Sequence, residues 1–210
     1  MKVTLRILLI VAVIVLAYIC CRSILDPIEF NAERDKREQA IIARLIDIRK
    51  AQIEYKNMHG EHAGSFDDLA KFLNEEKLPF LIKEGALSDE QLEAGLTEQE
   101  AVKQGLIRRD TFWVTAKDTL FSRDFNADQL RMVPMAPNSV QFKMDTATLT
   151  SSSGYVIKVF EAGVPYDDYL GDLDAQQVYN LKDRAEKLDR YAGLRVGSLT
   201  EINNNAGNWE

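Results

Sequence analysis

Two histidines are the first residues to consider for chemistry, because they are the only ones in the chain and are spaced H-x-x-H, as His59 and His62. On a helix, this spacing could hold a metal ion. Gly60 between them favours a turn instead, and no cysteine is nearby. Neither histidine comes with a nucleophile motif, so a Ser-His-Asp arrangement has few candidates. We interpret both histidines as turn residues.

Four aspartates form the second candidate site, in the segment from Glu161 to Asp174. They lie in a stretch that also contains glycine and proline: Asp167, Asp168, Asp172 and Asp174. Calcium prefers several oxygen ligands of this kind. The spacing differs from that of an EF-hand, and acidic loops are ordinarily just solvated. A calcium-binding loop at Asp167–Asp174 therefore remains an alternative.

Other candidate sites have simpler interpretations. Asp110 and Asp124 each follow arginine and are expected to set turns or ion pairs rather than to form a glycosidase-type carboxylate pair. The sequence has no glycine-rich phosphate loop and no CxxC motif. We therefore predict a protein that is not an enzyme, with no catalytic, cofactor-binding or metal-binding residue and no cofactor.

Among the elements that the sequence predicts, the clearest is an apolar helix near the N-terminus. Residues 7–21 (ILLIVAVIVLAYICC) carry no charge, and the 23 positions from Val3 to Leu25 span about 34 Å as a helix. Lys2 and Arg6 precede the run, so the positive-inside rule places the N-terminus in the cytoplasm. We predict a single-pass anchor contacting membrane lipid through residues 7–21.

Two alternatives to an uncleaved anchor stay open. A cleaved signal peptide would have an apolar core of 7–15 residues and small residues before the cut, but Cys21-Arg22-Ser23 is a poor site. Lipidation would need a small residue before the modified cysteine, and Ile19 precedes Cys20. The simplest interpretation of both cysteines is that they are small hydrophobic residues in the membrane.

Charge excludes one class of partner. The chain has 210 residues and a net charge of -7, and residues 29–210 carry 23 basic and 32 acidic groups, a net -9. Such a surface repels phosphate backbones, so we predict no nucleic-acid binding. A body of this size can bury enough apolar surface to fold without disulfides.

Helical periodicity dominates the first part of the body. Asp26-Pro27 is expected to break or kink the anchor. The charged residues 33–38 suit a solvated stalk, and a spine helix is predicted to continue to about Met58. Two apolar stripes run along it, the first formed by Ile41, Leu45, Ile48 and Tyr55 and the second by Ile42, Ile46 and Ile53. Two stripes indicate a helix buried on two sides.

The rest of the chain predicts an α+β fold. Capping signals predict short helices from Ser65 to about Leu73 and in two near-copies, Leu87–Gly95 and Leu96–Gly105. Strands are predicted at Thr111–Thr115, Leu130–Val133, Val140–Met144 and Tyr155–Phe160. A helix is expected over Ala175–Arg190, ended by Gly193, and the Asn-rich tail should be irregular. We predict a transmembrane helix continuing into a spine helix that packs on a small antiparallel sheet.

The end of the spine helix resembles a known family. Ile48–Tyr55, His59-Gly60 and Ser65–Leu69 are similar to the stretch where the long helix ends in type IV pilins and type II secretion pseudopilins; the resemblance covers about residues 40–72. It implies a pilin-like fold and a structural role, and some pseudopilins hold calcium in a C-terminal loop. The prepilin peptidase site is missing, since no glycine precedes Gly60 and no glutamate precedes Glu29.

The C-terminal end, Val196–Glu210, resembles that of a family of membrane-anchored Bacteroidota proteins, which implies a bacterial inner membrane and a periplasmic body. The predicted organisation is an anchor (1–28), an extracytoplasmic α+β domain (29–197) and an irregular tail (198–210). We expect a non-catalytic pilin-like subunit or scaffold of an envelope assembly, or alternatively a periplasmic ligand- or calcium-binding module. Protein partners or self-association would use the spine helix (40–58) and the tail, which could equally fold back onto the body.

Overall fold

The computed structural model describes residues 2–84, 97–103, 106 and 108–210, and the fold in these ranges is α+β, as predicted. The helices are α1 (Lys2–His59), α2 (Phe66–Glu75), α3 (Glu98–Lys103), α4 (Ala116–Leu120), α5 (Tyr166–Leu170) and α6 (Ala175–Lys187). The strands are β1 (Lys77–Glu84), β2 (Arg108–Thr115), β3 (Lys143–Thr150), β4 (Val156–Pro165) and β5 (Gly193–Gly197). Two compact units form, one from residues up to Phe66 with Gln129–Glu210, the other from Asp67–Asp128.

Helix α1 is one uninterrupted helix of 58 residues, about 87 Å long. The predicted break at Asp26-Pro27 is wrong, because the helix continues through Pro27, and the alternative of a kink there stays a prediction. Proline removes a single backbone hydrogen bond, and the long helical stretches on both sides keep the chain helical across that gap. The predicted end is confirmed: Gly60 adopts a positive φ of 75°, and its N–H donates to the Lys56 carbonyl at 2.8 Å.

The first apolar stripe of α1 forms the core of the first unit. Ile41, Leu45 and Ile48 have no exposed surface, and Tyr55 is half-buried. The second stripe is only partly covered, with Ile42 and Ile46 half-buried and Ile53 38% exposed. The prediction of a helix buried on two sides is therefore right for one stripe and only partly so for the other.

A three-stranded antiparallel sheet, in the order β3-β4-β5, packs against this helix. Alternate β4 residues Phe160, Ala162 and Val164 are fully buried, as is Val196, the partner of Ala162 in β5. This alternation places one face of the sheet in the core. The β3–β4 hairpin closes through Ser151–Gly154, where the Ser151 N–H donates to the Tyr155 carbonyl at 2.8 Å.

The second unit pairs β1 with β2 in a two-stranded antiparallel sheet. Helix α2, predicted from its capping signal, buries Leu69, Ala70, Phe72 and Leu73. The predicted capping box of α3 is confirmed, since the Glu100 carboxylate accepts from the Thr97 N–H at 3.1 Å and the Glu100 N–H donates to the Thr97 hydroxyl at 3.4 Å. The near-copy predicted as a helix at Leu87–Gly95 lies outside the described residues.

The predicted strands are partly correct. Thr111–Thr115 lies within β2, and Tyr155–Phe160 is nearly all within the longer β4. Leu130–Val133 is wrong, because Ala127–Arg131 forms a 3-10 helix and only Met132 bridges to Gln141. Val140–Met144 is shifted, since β3 begins at Lys143. The two remaining strands, β1 and β5, were missed.

Helix α6 and the tail complete the first unit. Helix α6 ends at Lys187, and Gly193 begins β5 instead of ending the helix as predicted. The tail is irregular, as predicted, and it folds back onto the body. The Gly197 N–H donates to the Ala206 carbonyl at 3.0 Å, and the Asn208 side chain donates to the Gly193 carbonyl at 2.9 Å. The tail therefore covers the free edge of β5.

Candidate functional site

The N-terminal part of α1 is apolar on all sides and uncovered. The large apolar side chains from Ile7 to Leu25 are each 49% to 67% exposed, so no face of this segment packs against the body. Its most apolar 18-residue window has a mean hydropathy of 2.7, and none of that window is buried. Within the described residues, α1 is the one helix that is long enough and apolar enough to cross a membrane.

The body contacts α1 soon after this apolar segment. Phe30 is 6% exposed and lies five residues beyond Leu25, or about 7.5 Å along the helix axis. No described segment of non-helical chain separates the apolar segment from the packed one. The orientation of the first unit is therefore tied directly to the axis of the apolar helix.

Arg37 joins α1 to the region around α5. Its guanidinium donates to both carboxylate oxygens of Asp172 at 2.6 and 2.8 Å, to the Tyr169 carbonyl at 2.8 Å and to Glu33 at 2.9 Å. The solvated stalk predicted for residues 33–38 is therefore wrong, since Arg37 is only 8% exposed. The hydrogen bond to Asp172 raises the pKa of Arg37, and the same contact lowers the pKa of Asp172.

A second contact lies one residue along the helix. The Tyr169 hydroxyl, on a fully buried ring, donates to the Glu38 carboxylate at 3.0 Å. Burial raises the pKa of both groups, so Tyr169 stays protonated and donates, and Glu38 accepts when it is ionised. The Arg37 and Glu38 contacts together fix α5 against α1.

Three of the four aspartates of the possible calcium loop have separate structural partners. Asp172 binds Arg37, Asp167 accepts from Lys182 at 2.6 Å, and the Asp174 carboxylate caps α6 by accepting from the Gln177 N–H at 2.9 Å. Asp168 is half-buried in the first turn of α5. The segment is also not the predicted loop, since it comprises the end of β4, helix α5 and the turn to α6. This geometry does not favour the calcium alternative.

The two histidines have different environments. His59 is the last residue of α1; its ring stacks on Tyr55 at 4.2 Å, and its Nδ1 lies 3.1 Å from the Tyr55 carbonyl oxygen. His62 is 6% exposed, and its ring nitrogens are the buried side-chain atoms without a hydrogen-bond partner among the described residues. Burial lowers the pKa of His62 to about 4, and nearby Lys56 adds to this shift.

The remaining candidates stay apart from these contacts. Asp110 pairs with Ile82 in the β1–β2 ladder, and Asp124 is exposed in a turn. Cys20 and Cys21 are exposed on the apolar segment of α1. Among the described residues, no group of three His, Cys, Asp or Glu side chains could hold a metal ion.

Two residues that organise the first unit were not singled out from sequence. Besides Arg37, Gln52 is fully buried and makes a double hydrogen bond with Ala63: its amide donates to the Ala63 carbonyl, and its carbonyl accepts from the Ala63 N–H, both at 2.9 Å. A glutamine within an apolar helical stripe is the only signal that could have identified it. Comparison of the chain with protein-family models, curated proteins and solved structures finds no match.

Proposed function

We propose that the chain is a non-catalytic, pilin-like subunit or scaffold of a bacterial envelope assembly. Residues 7–21 would hold it in the inner membrane, with the N-terminus in the cytoplasm and the body in the periplasm. The observation that carries the proposal is the continuity of α1, whose uncovered apolar segment passes without a linker into a segment packed on the sheet.

A linker-free connection suits a structural role. A tethered binding domain or enzyme gains reach from a flexible linker, whereas a subunit of an assembly needs its surfaces held at a fixed height and angle. The Arg37 and Glu38 contacts supply this rigidity close to the apolar segment. The pilin-like part of the proposal is supported by the order of elements, a long apolar helix followed by an antiparallel sheet packed on its second half.

The partly covered stripe of α1 is the surface that we assign to assembly contacts. Ile53 is 38% exposed and Ile42 and Ile46 are half-buried, so apolar area remains for a neighbouring subunit to cover. Three aspartates of the Glu161–Asp174 segment have structural partners: Asp172 pairs with Arg37, Asp167 with Lys182, and Asp174 with the Gln177 N–H. These pairings support a structural role over a catalytic one.

Site-specific photocrosslinking in intact membranes tests the assembly role. A photoreactive residue at Ile53 should give adducts with a second copy or another envelope protein, whereas the same residue at Asp47, about 120° away around α1, should give none. Recovery of monomer alone from both positions would contradict the proposal.

Protease protection tests the orientation. In sealed inside-out membrane vesicles, protease added outside should leave the body intact. Digestion of the body under these conditions, or isolation of a soluble mature protein that begins near Ile24, would overturn the proposed topology.

A further inference from the structure

A cleft lies beyond the C-terminal end of α1, in the first unit. It has a volume of about 390 Å³ and lies between the turn after α1 and the helix-facing side of β3 and β4. Its polar lining consists of Glu61, His62, Thr146, Thr148 and Lys158. Thr148 is opposite Lys158 and Thr146 opposite Phe160 in the β3–β4 register, so these side chains share one face of the sheet.

The walls of the cleft are held in place by hydrogen bonds. The double hydrogen bond between Gln52 and Ala63 fixes the turn, and the Lys56 ammonium donates to the Lys158 carbonyl at 2.8 Å. Across the cleft, the Lys158 ammonium donates to Glu61 at 2.9 Å, in a pair whose side chains are 44% and 62% exposed. An exposed pair of this kind is weak and exchanges easily with other charged groups.

His62 forms one wall, and its ring lies 4.8 Å from that of Phe160. Neither ring nitrogen makes a hydrogen bond of standard geometry to the described residues, although the backbones of Gln52 and Lys158 lie close enough to oppose part of the fall in its pKa. A neutral imidazole carries one donor and one acceptor, and leaving both unpaired in a buried position is unfavourable. A group entering the cleft could satisfy one of them after a small rotation of the ring.

The charge around the cleft is opposite to that of the body. Lys158 and a single carboxylate, Glu61, line the cleft, and Lys56 lies close enough to His62 to affect its pKa, so the cleft has a local excess of positive charge in a body of net -9. Threonine hydroxyls, the ammonium of Lys158 and an imidazole N–H are all donors. This set of groups suits an anion with several acceptor lone pairs and a single charge.

We propose that this cleft binds a carboxylate, which takes the Lys158 ammonium from Glu61 and accepts further hydrogen bonds from Thr146, Thr148 and His62. The carboxylate would belong to a small organic acid or to an acidic side chain of another protein. This binding site goes beyond the proposed assembly role and does not depend on it, since it lies on different residues from the Ile53 surface.

Nuclear magnetic resonance of the histidine rings in the full chain, in detergent micelles, tests the site. The probes are butyrate, a blocked tripeptide with a central glutamate, and the same tripeptide with glutamine. Both carboxylates should shift the His62 ring resonances and raise the His62 pKa, because a nearby anion favours the imidazolium. The His59 resonances should shift less, because His59 stacks on Tyr55 and feels only the change of charge at Glu61. Binding of the glutamate peptide alone would identify the source as a protein side chain.

Charge variants give effects of opposite sign. Lys158→Gln should weaken carboxylate binding by about tenfold, the effect of losing one charged hydrogen bond. Glu61→Gln should tighten it, because Lys158 then has no competing partner. The matched controls, Lys182→Gln and Asp167→Asn, alter an ion pair of similar exposure on α6 and α5 and should change nothing.

Three results would overturn the proposal: no shift of His62 with either carboxylate, equal binding of the glutamine peptide, or equal losses in Lys158→Gln and Lys182→Gln.

Discussion

The two parts of α1 share one backbone and differ in what covers them. From Ile7 to Leu25 every large apolar side chain is exposed, whereas Ile41, Leu45 and Ile48 have no exposed surface at all. The first part is apolar all round, which suits lipid on every side. The second is apolar in stripes, which suits a protein surface on one side.

The two parts also differ in how much free energy each side chain contributes. The ten Ile, Leu and Val residues of positions 7–21 together favour membrane insertion by about 3–6 kcal/mol, so each contributes little. Burial of a single Leu or Ile in a protein core contributes about 1.5–3 kcal/mol. The apolar segment should therefore tolerate single substitutions that the packed segment does not.

The same substitution on both parts tests this difference most strongly. Leu45→Ala should lower the free energy of unfolding of the first unit by about 2–5 kcal/mol, because it leaves a cavity in a close-packed core. Leu16→Ala should leave that free energy unchanged and weaken membrane insertion by about 0.5 kcal/mol. Urea unfolding of the full chain in micelles, followed by Trp209 fluorescence in a Trp113→Phe background, measures the first effect. Equal losses for both variants would contradict the comparison.

Acidification should destabilise the packed part of α1 and leave the apolar part unaffected. The folded-state pKa of His62 is about 4, below its ordinary 6.5, so the unfolded chain binds the proton more readily. Stability is therefore lost as pH falls from about 6.5 towards 4. The charged groups around His62 are Lys56, Lys158 and Glu61, and the hydrogen bond from Lys158 lowers the pKa of Glu61.

Protonation of His62 should lower the free energy of unfolding by about 2 kcal/mol between pH 7 and pH 5. It is measured as the difference between the native chain and His62→Gln in urea unfolding at the two pH values. Other groups, including Glu38 with its raised pKa, cancel in that difference. A pH dependence that is the same in both proteins would show that His62 is not the group responsible.

The sequence predicted the features that depend on local patterns. The end of α1 at His59-Gly60, the capping box at Thr97 and the helix from Ala175 each follow from neighbouring residues, and each is confirmed. The apolar segment follows from composition alone. These elements carry their own signals, because helical periodicity and capping act within a few residues.

Long-range contacts gave no such signal. Arg37 and Asp172 are 135 residues apart, and a charged run beside a membrane segment indicates solvent unless its partner is known. Strand β5 (GLRVG) is short and has glycine at both ends, a pattern typical of turns. Strand β1 contains Pro79, which is tolerated because β1 pairs on one side only among the residues that the structure describes. The sequence could not show which partner each of these segments would meet.

Arg37 lies where the exposed apolar part of α1 gives way to the packed part, and loss of its partner should have a smaller effect on the free energy of unfolding. Asp172→Asn should lower the free energy of unfolding by about 1.5 kcal/mol, since the buried Arg37 loses a charged, bidentate partner but keeps Glu33. Asp167→Asn, which alters the exposed pair with Lys182, is the matched control and should cost about 0.3 kcal/mol. Urea unfolding checks both values, and hydrogen exchange should show faster opening of α5 only in the first variant.

The smallest effect is expected where the tail meets the packed part of α1. The Arg49 guanidinium donates to the Glu210 carboxylate at 2.6 Å, and both side chains are partly exposed to solvent, so Glu210→Gln should cost only about 0.5 kcal/mol. Backbone hydrogen bonds at Gly197 and Asn208 hold the tail independently of this pair. The loss should shrink in high salt, because salt screens exposed charges. A larger, salt-independent loss would mean that the tail is held mainly by Glu210. A single surface residue on α1 would then contribute as much to the free energy of unfolding as a residue of the core.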